Sequence, residues 1–332
     1  MEGIVGAIGH TPLVRMRQLL GSMPIDVWAK LESHNPGGSS KARPAARMIV
    51  DALQAGELAP GHTVIESSSG NMAIGLAQVC RFYGLQLICV LDSRTNESTV
   101  RTLRALGVDV RVITEPDPVT GELLTARLNE VAMLAERTPN SFCPDQYTNP
   151  ANPAAHADGT MREIDEALEG RLDYLLVAAG TAGTLLGCAN FLRDHGRRTR
   201  LIAVDSKGSA LFGGKPGHRR LPGHGAGVES AHSRTVEYDG LVRVSDLDCV
   251  VGCRRLLERE AIFAGASSGA VVFALQKIAS SIEPGARCAV VLPDGGAGYL
   301  DTVYDDAWVE RELGCSSAAL TSAIAELPRV EA

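Results

Sequence analysis

The chain has 332 residues, 45% hydrophobic and 21% charged, with a formal net charge of −7 and a mean hydropathy of +0.04. That length is enough for two domains with separate cores. The negative charge argues against a nucleic-acid binder that works by neutralising phosphates, and no apolar run approaches the roughly 18 residues a membrane span needs. In chain order, short apolar β-type runs are expected at 25–31, 63–65, 87–91, 108–113, 174–178, 201–204 and 287–292. Helix-period segments are expected at 45–53, 73–82, 123–137, 161–168, 185–193 and 256–263. Apolar strands alternating with helices predict an α/β fold, with parallel sheet covered on both faces. The Pro- and Asn-rich stretch 138–153 reads as a crossing between two α/β domains. Residues 208–233, dense in Gly, His and Arg, form a second irregular stretch of the kind that is usually functional or mobile. The tail after Leu313 is small and polar and is expected to be poorly ordered.

Eight cysteines contain no CxxC pair; Cys249 and Cys253 fall one helical turn apart. Cys80, Cys89, Cys188 and Cys288 lie in apolar segments and read as small core residues. The eight histidines are scattered without HxH or HExxH spacing, so no metal is expected. The N-terminus has no basic stretch followed by an apolar one, so a reduced, cytoplasmic protein is expected. Only five of the 32 basic residues are lysines: Lys30, Lys41, Lys207, Lys215 and Lys277. Lysine can give up its proton when buried and arginine cannot, so any amine chemistry has a short candidate list.

Three turns rich in Gly and hydroxyl side chains each read as following a strand and opening a helix. They are Glu66-Ser67-Ser68-Ser69-Gly70-Asn71, Gly180-Thr181-Ala182-Gly183-Thr184 and Ala266-Ser267-Ser268-Gly269. The N–H groups of a helix start and the helix dipole both favour an anion there. Ordinary N-capping explains one such turn. Three in one α/β chain point to an anionic ligand at the sheet's carboxyl edge. The GxGxxG fingerprint of nicotinamide dinucleotide folds and the P-loop pattern are both missing. Lys41, in His34-Asn35-Pro36-Gly37-Gly38-Ser39-Ser40-Lys41, is read as sitting at a helix start. The dipole there disfavours the ammonium and favours the neutral amine that Schiff-base chemistry requires. A phosphate cradle with one such lysine suggests pyridoxal phosphate.

On these residues the chain resembles the fold-type II pyridoxal-phosphate enzymes of the cysteine synthase and cystathionine beta-synthase family. The likeness runs from Ile8-Gly9-His10-Thr11-Pro12-Leu13-Val14 to Pro293-Asp294-Gly295-Gly296. It implies two doubly wound parallel-sheet domains with the cofactor between them. The smaller would hold residues 35–149 plus about 1–12. The larger would hold 13–34 and 150–315, and 316–332 would be a flexible tail. By resemblance, Lys41 is the Schiff-base lysine and Asn71 meets the cofactor's 3-hydroxyl. Ser68, Ser69, Gly70, Asn71 and Met72, with Gln146, grip the substrate carboxylate. Gly180, Thr181, Ala182, Gly183 and Thr184 hold the phosphate. Ser267 faces the pyridine nitrogen, with Ser268 as the neighbour it could be confused with. A serine there leaves the cofactor a weaker electron sink, which suits elimination to an aminoacrylate followed by nucleophilic addition.

Three departures from the family pattern, Ala42, Met72 and Ala182, weigh against a housekeeping cysteine synthase. Residues 202–209, Leu211-Phe212-Gly213 and Gly159-Thr160-Met161-Arg162-Glu163-Ile164 resemble the N-(2-amino-2-carboxyethyl)-L-glutamate synthases, which serve 2,3-diaminopropionate supply for siderophores and peptide antibiotics. That branch implies O-phospho-L-serine as donor and the amine of L-glutamate as nucleophile. Both substrates are anionic, and His218-Arg219-Arg220 supplies cations, with Arg220 the candidate substrate contact. The alternatives are a cysteine synthase or relative with another small nucleophile, a serine or threonine dehydratase, and a non-catalytic relative that binds a partner. Bland readings apply to His10 (structural), Tyr147 (packing), and Phe82 and Tyr83 (core). Cys143 falls near the expected site. The resemblance also implies a homodimer acting on small-molecule amino acids.

Overall fold

A computed structural model describes residues 3–93, 95–121 and 123–326. In chain order the elements are β1 (Leu13–Met16), β2 (Asp26–Leu31), α1 (Ala42–Gln54), β3 (Thr63–Ser67), α2 (Asn71–Phe82), β4 (Gln86–Asp92), α3 (Glu97–Ala105) and β5 (Asp109–Ile113). Then come α4 (Leu123–Arg137), β6 (Ser141–Phe142), α5 (Ala151–Ala155), a π-helical turn (His156–Met161), α6 (Arg162–Ala167), β7 (Tyr174–Ala178), α7 (Gly183–Asp194) and β8 (Arg200–Ser206). Next follow α8 (Ala231–Thr235), β9 (Gly240–Val244), α9 (Asp246–Glu260), α10 (Ala266–Ile278), β10 (Arg287–Leu292), α11 (Asp306–Leu313) and α12 (Ser317–Ala325). They form two compact units. The first comprises the residues up to Ile8 and Asn35–Asn152; the second comprises Gly9–His34 and the residues from Pro153 onward.

The first unit holds a parallel sheet in the order β5-β4-β3-β6. Its core gathers Ile49 and Met48 of α1, Leu76 and Val79 of α2, and Val64, Leu87 and Leu91 from the strands. Ala45, Met48, Ile49 and Ala52 recur at helical spacing, which gives α1 one apolar face to bury. The chain runs β3 to β4 to β5, then returns to place β6 on the other side of β3. The loops after β3 and β6 therefore leave the same edge in opposite directions, which is where open α/β sheets bind ligands.

The second unit holds a sheet in the order β1-β2-β10-β7-β8-β9, parallel except for β1. Its strands alternate between two cores. Leu176, Ile202, Val204 and Val290 face α9 and α10, while Leu175, Val177, Leu201, Ala203, Ala289 and Val291 face α6 and α7. Period-two alternation with apolar residues on both faces is what a doubly covered sheet requires. A reversal like that of the first unit lies between β7 and β10. Helices α9 and α10 approach closely through Gly252 and Gly269. A Cβ on either would stand 2.1 Å from the other helix's backbone.

Some expectations need correction. Helix α9 starts at Asp246, ten residues before the expected 256, on a capping box formed by Ser245 and Asp248. The turn at Ala266 follows α9, not a strand; only a single bridge, Ala264 to Gly295, precedes it. The tail is ordered through Glu326: Ser316 caps α12, Leu320 is buried, and Arg255 donates to the carbonyls of Ala323 and Ile324. Residues 327–332 of the expected tail lie outside the described residues. Phe82 is 43% exposed and is not a core residue, whereas Tyr83 packs against the first unit's core. No described helix is long and apolar enough to cross a membrane.

Candidate active site

Of the five lysines, Lys207, Lys215 and Lys277 are exposed. Lys30 is buried but committed: its Nζ lies 2.6 Å from Glu163 Oε2 and 2.6 Å from the Thr11 carbonyl. The same glutamate accepts from the His10 backbone N–H, which gives His10 its structural place. Lys41 is half-buried and is the N-cap residue of α1, so the amine is presented at a helix start, as the sequence predicts. Its carbonyl lies where a Cβ on Gly75 of α2 would come within 3.0 Å, so α1 and α2 are in close contact at this point.

The loop from β3 to α2 stands beside it in the same unit. Ser68 is buried, Ser69 is exposed, and Gly70 caps α2, whose first residue is Asn71. The hydroxyls of Ser68 and Ser69 make no hydrogen bond among the described residues. Met72 departs from its expected role. Its side chain is 2% exposed and belongs to the hydrophobic core, so only its backbone can meet a ligand. Gln146 follows β6 on the turn opened by Asp145, which adopts φ 47°. Asn152 Nδ2 donates to the Gln146 carbonyl at 2.7 Å. The Gln146 side-chain amide has no protein partner among the described residues. The β3–α2 loop thus presents hydroxyls at the N-terminus of a 12-residue helix, with Gln146 on the turn after the neighbouring strand, an arrangement that suits a carboxylate. Burial, with Glu66 and Asp145 nearby, pushes the Cys143 thiol up, opposite to what an activated thiolate needs.

In the second unit, Ala179 to Ala182 join β7 to α7. Ala182 caps α7 in the left-handed region at φ 63°. Thr181 and Thr184 are buried. Thr184 Oγ1 lies 3.2 Å from His156 Nε2, and Thr160 Oγ1 lies 2.9 Å from the other ring nitrogen. Ser230 Oγ donates to the Thr181 carbonyl at 2.7 Å, and the Gly225 N–H donates to Ala179. Gly223, at φ 101°, runs over both Gly180 and Ser267: its carbonyl lies 3.3 Å from the Cβ position of Gly180, and its own Cβ position lies 3.3 Å from Ser267 Oγ. The structure thus gathers the β7 loop and the start of α10 under one backbone segment. Ser267 and Ser268 are now distinguished. Ser268 Oγ donates to the Asp294 carbonyl at 3.4 Å, whereas Ser267 Oγ is buried with no partner among the described residues. An orphaned buried hydroxyl, a close glycine-lined turn and a helix N-terminus fit a phosphorylated pyridine.

Arg220 does not join this group. Its guanidinium pairs with Glu312 of α11 and its backbone N–H donates to Asp246 Oδ2 at 2.9 Å. Two groups escaped the sequence reading. His156 acts on Thr184 from 28 residues away, with only its place in an apolar segment as a signal. Glu66 is a single acid at the end of an apolar strand, which is itself a signal. Among the described residues no group of His, Cys, Asp and Glu could hold a metal ion.

The family model for pyridoxal-phosphate dependent enzymes matches residues 4–294. The chain is 42% identical over 322 residues to the N-(2-amino-2-carboxyethyl)-L-glutamate synthase of Ralstonia nicotianae, covering 97% of this chain and 95% of that one. Among solved structures it resembles an O-acetylserine dependent cystathionine beta-synthase from Helicobacter pylori, with TM-score 0.83 and 31% identity over 91% of this chain and 98% of that one. It also resembles an O-ureido-L-serine synthase, with TM-score 0.82 and 32% identity over 93% and 99% of the two chains. With this fold, these loops and these relatives, the chain belongs to the fold-type II pyridoxal-phosphate dependent enzymes, and its cofactor is pyridoxal 5′-phosphate.

Proposed function

We propose that the enzyme catalyses β-replacement on an O-activated L-serine, O-phospho-L-serine by preference, with the amine of L-glutamate as nucleophile. The product is N-(2-amino-2-carboxyethyl)-L-glutamate, a source of 2,3-diaminopropionate for siderophore or antibiotic synthesis. The observation that carries this reading is the 42% identity, over nearly the whole chain, to a synthase of that name.

Pyridoxal phosphate, when bound, supplies the electron sink that lets a proton leave Cα and a substituent leave Cβ. The chain's residues would do the rest. Lys41 holds the cofactor covalently through its amine and, once released, takes the Cα proton. Asn71 meets the 3-hydroxyl. Gly180, Thr181, Ala182, Gly183 and Thr184 surround the phosphate at the start of α7, where backbone N–H groups and the helix dipole favour an anion. Ser267 presents its unsatisfied hydroxyl to the pyridine nitrogen. Ser68, Ser69, Gly70, Asn71, the backbone of Met72 and the amide of Gln146 orient the donor's carboxylate. Arg220 stays outside the proposed site because Glu312 holds it. The working form is a cytoplasmic homodimer, as the family resemblance implies.

A sulfur nucleophile is the second reading, favoured by the likeness to an O-acetylserine dependent enzyme. One absorbance series separates the two. The purified protein is scanned alone, with O-phospho-L-serine, and then with L-glutamate or sulfide. A yellow protein whose donor-induced band is discharged by L-glutamate supports the proposal. Discharge by sulfide alone supports the second reading, and a protein that stays colourless with added pyridoxal phosphate contradicts both.

A further inference from the structure

We propose that Tyr304 is a positioning residue, whose hydroxyl fixes the entry to α10 and so sets where the Ser267 hydroxyl stands. This rests on the reading that Ser267 meets the pyridine nitrogen of the cofactor.

Ala264 is 2% exposed and makes a single antiparallel bridge with Gly295. The bonds of that bridge belong to the flanking residues. The Gly265 N–H donates to the Asp294 carbonyl at 3.1 Å, and the Gly296 N–H donates to the Phe263 carbonyl at 3.2 Å. In such a pairing the N–H and C=O of the bridged residue itself point away from its partner. Ala264 therefore turns both backbone groups to the side opposite Gly295, and buried backbone groups need partners. Tyr304 serves both. Its hydroxyl donates to the Ala264 carbonyl at 2.6 Å and accepts from the Ala264 N–H at 3.3 Å. The ring is itself held: its centroid stands 4.6 Å from that of Phe263, and the Arg254 guanidinium lies 5.5 Å from it. Arg254 in turn donates to the Val303 carbonyl at 2.8 Å.

From Ala264 the chain takes one residue, Gly265, to enter α10, and Ser267 is the second residue of that helix. Gly265 and Ser268 are braced through one acceptor, the Asp294 carbonyl, and Cys253 Sγ donates to the Gly265 carbonyl at 3.2 Å. The groups on either side of Ser267 are thus spent on holding the turn, while Ser267 Oγ is buried and left unspent among the described residues. Its room for error is small, because the Cβ position of Gly223 lies 3.3 Å away. A buried hydroxyl is costly until a ligand takes it, and a hydrogen bond weakens steeply when its geometry is off. A turn braced on both sides of one unspent hydroxyl is preorganised for a partner at that point. Tyr304 holds the end of the turn that the Asp294 carbonyl does not reach.

The test uses the full-length enzyme as wild type, Y304F and S267A. Each is stripped of cofactor and titrated with pyridoxal phosphate or with its 1-deaza analogue, in which CH replaces the pyridine nitrogen. Binding is read by tryptophan fluorescence, without turnover. The ratio of the two affinities reports on the contact at the nitrogen, since a general loosening of the fold weakens both ligands together. The wild type is expected to prefer pyridoxal phosphate. S267A should lower that ratio by about tenfold, the effect of one lost hydrogen bond. Y304F keeps the ring and displaces the serine rather than removing it, so it should lower the ratio by about threefold. The proposal is overturned if Y304F keeps the wild-type ratio, whether both affinities stand or both fall together. Should Y304F fail to fold, Y304M, which fills the space without a hydroxyl, is read by the same criterion. S267A reports on the underlying reading: an unchanged ratio there refutes the serine's place at the pyridine nitrogen, and the role of Tyr304 with it. A loss of preference in S267A but not in Y304F refutes the role of Tyr304 alone.

Discussion

The β3–α2 loop of the first unit and the β7–α7 loop of the second are built alike and finished differently. Each follows a central parallel strand beside a reversal of strand order, and each opens a 12-residue helix with Gly and hydroxyl side chains. The β7–α7 loop is fastened from outside: His156 engages the Thr184 hydroxyl, Ser230 holds the Thr181 carbonyl, and Gly225 holds Ala179. In the β3–α2 loop the hydroxyls of Ser68 and Ser69, and the amide of Gln146 beside it, are left without protein partners among the described residues. A loop fastened in advance suits a group that stays, such as the cofactor's phosphate. A loop with unspent donors suits a group that arrives and leaves with each turnover.

Lys41 provides the largest break in the comparison. K41A is expected to lower turnover by at least about a hundredfold, because in the proposed function the amine is both anchor and base, and to shift the visible spectrum. A variant that keeps its turnover would remove Lys41 from the chemistry. H156A should act next, and on one loop only. Loss of its bond to Thr184 is expected to weaken pyridoxal phosphate binding by about tenfold, while the L-serine to L-serinamide preference of the reconstituted enzyme stays at the wild-type value. Equal damage to both would show that the loops are not independent.

A pH effect belongs to the second unit. Burial, with the Arg219 guanidinium close by, pushes the His224 imidazole down to about 4, below its ordinary 6.5. A histidine held neutral in the fold stabilises it above pH 6.5, and that contribution is lost as pH falls through about 4. H224N should therefore flatten the fall in Tm between pH 6.5 and 4; parallel Tm curves for the two proteins would contradict this. The smallest effect is expected at Ala182. Its left-handed conformation disfavours a side chain, so A182G should change stability by no more than about 1 kcal/mol and leave donor KM untouched. Denaturant midpoints and steady-state kinetics check both halves of that expectation.

Local patterns were legible and distant partnerships were not. The strands expected at 174–178 and 287–292 are β7 and β10, because a buried parallel strand writes itself as a continuous apolar run. The Lys41 and glycine-rich motifs were readable for the same reason: each occupies one short stretch. The start of α9 was missed because residues 246–255 carry few large apolar side chains and Gly252 faces another glycine. The helix at 317–325 was missed because its stability comes from Leu320 and from Arg255, far back in the chain. Arg220 reads in sequence as a cation awaiting an anion, but its anion is Glu312, 92 residues on. The loops after β3 and β6 likewise come side by side only through the sheet's strand order.

The most direct test of the proposed reaction is to incubate the holoenzyme with O-phospho-L-serine and 15N-labelled L-glutamate and weigh the product. N-(2-amino-2-carboxyethyl)-L-glutamate carrying one labelled nitrogen is the expected result. Pyruvate without a labelled adduct, or an adduct formed only when sulfide replaces glutamate, would contradict it.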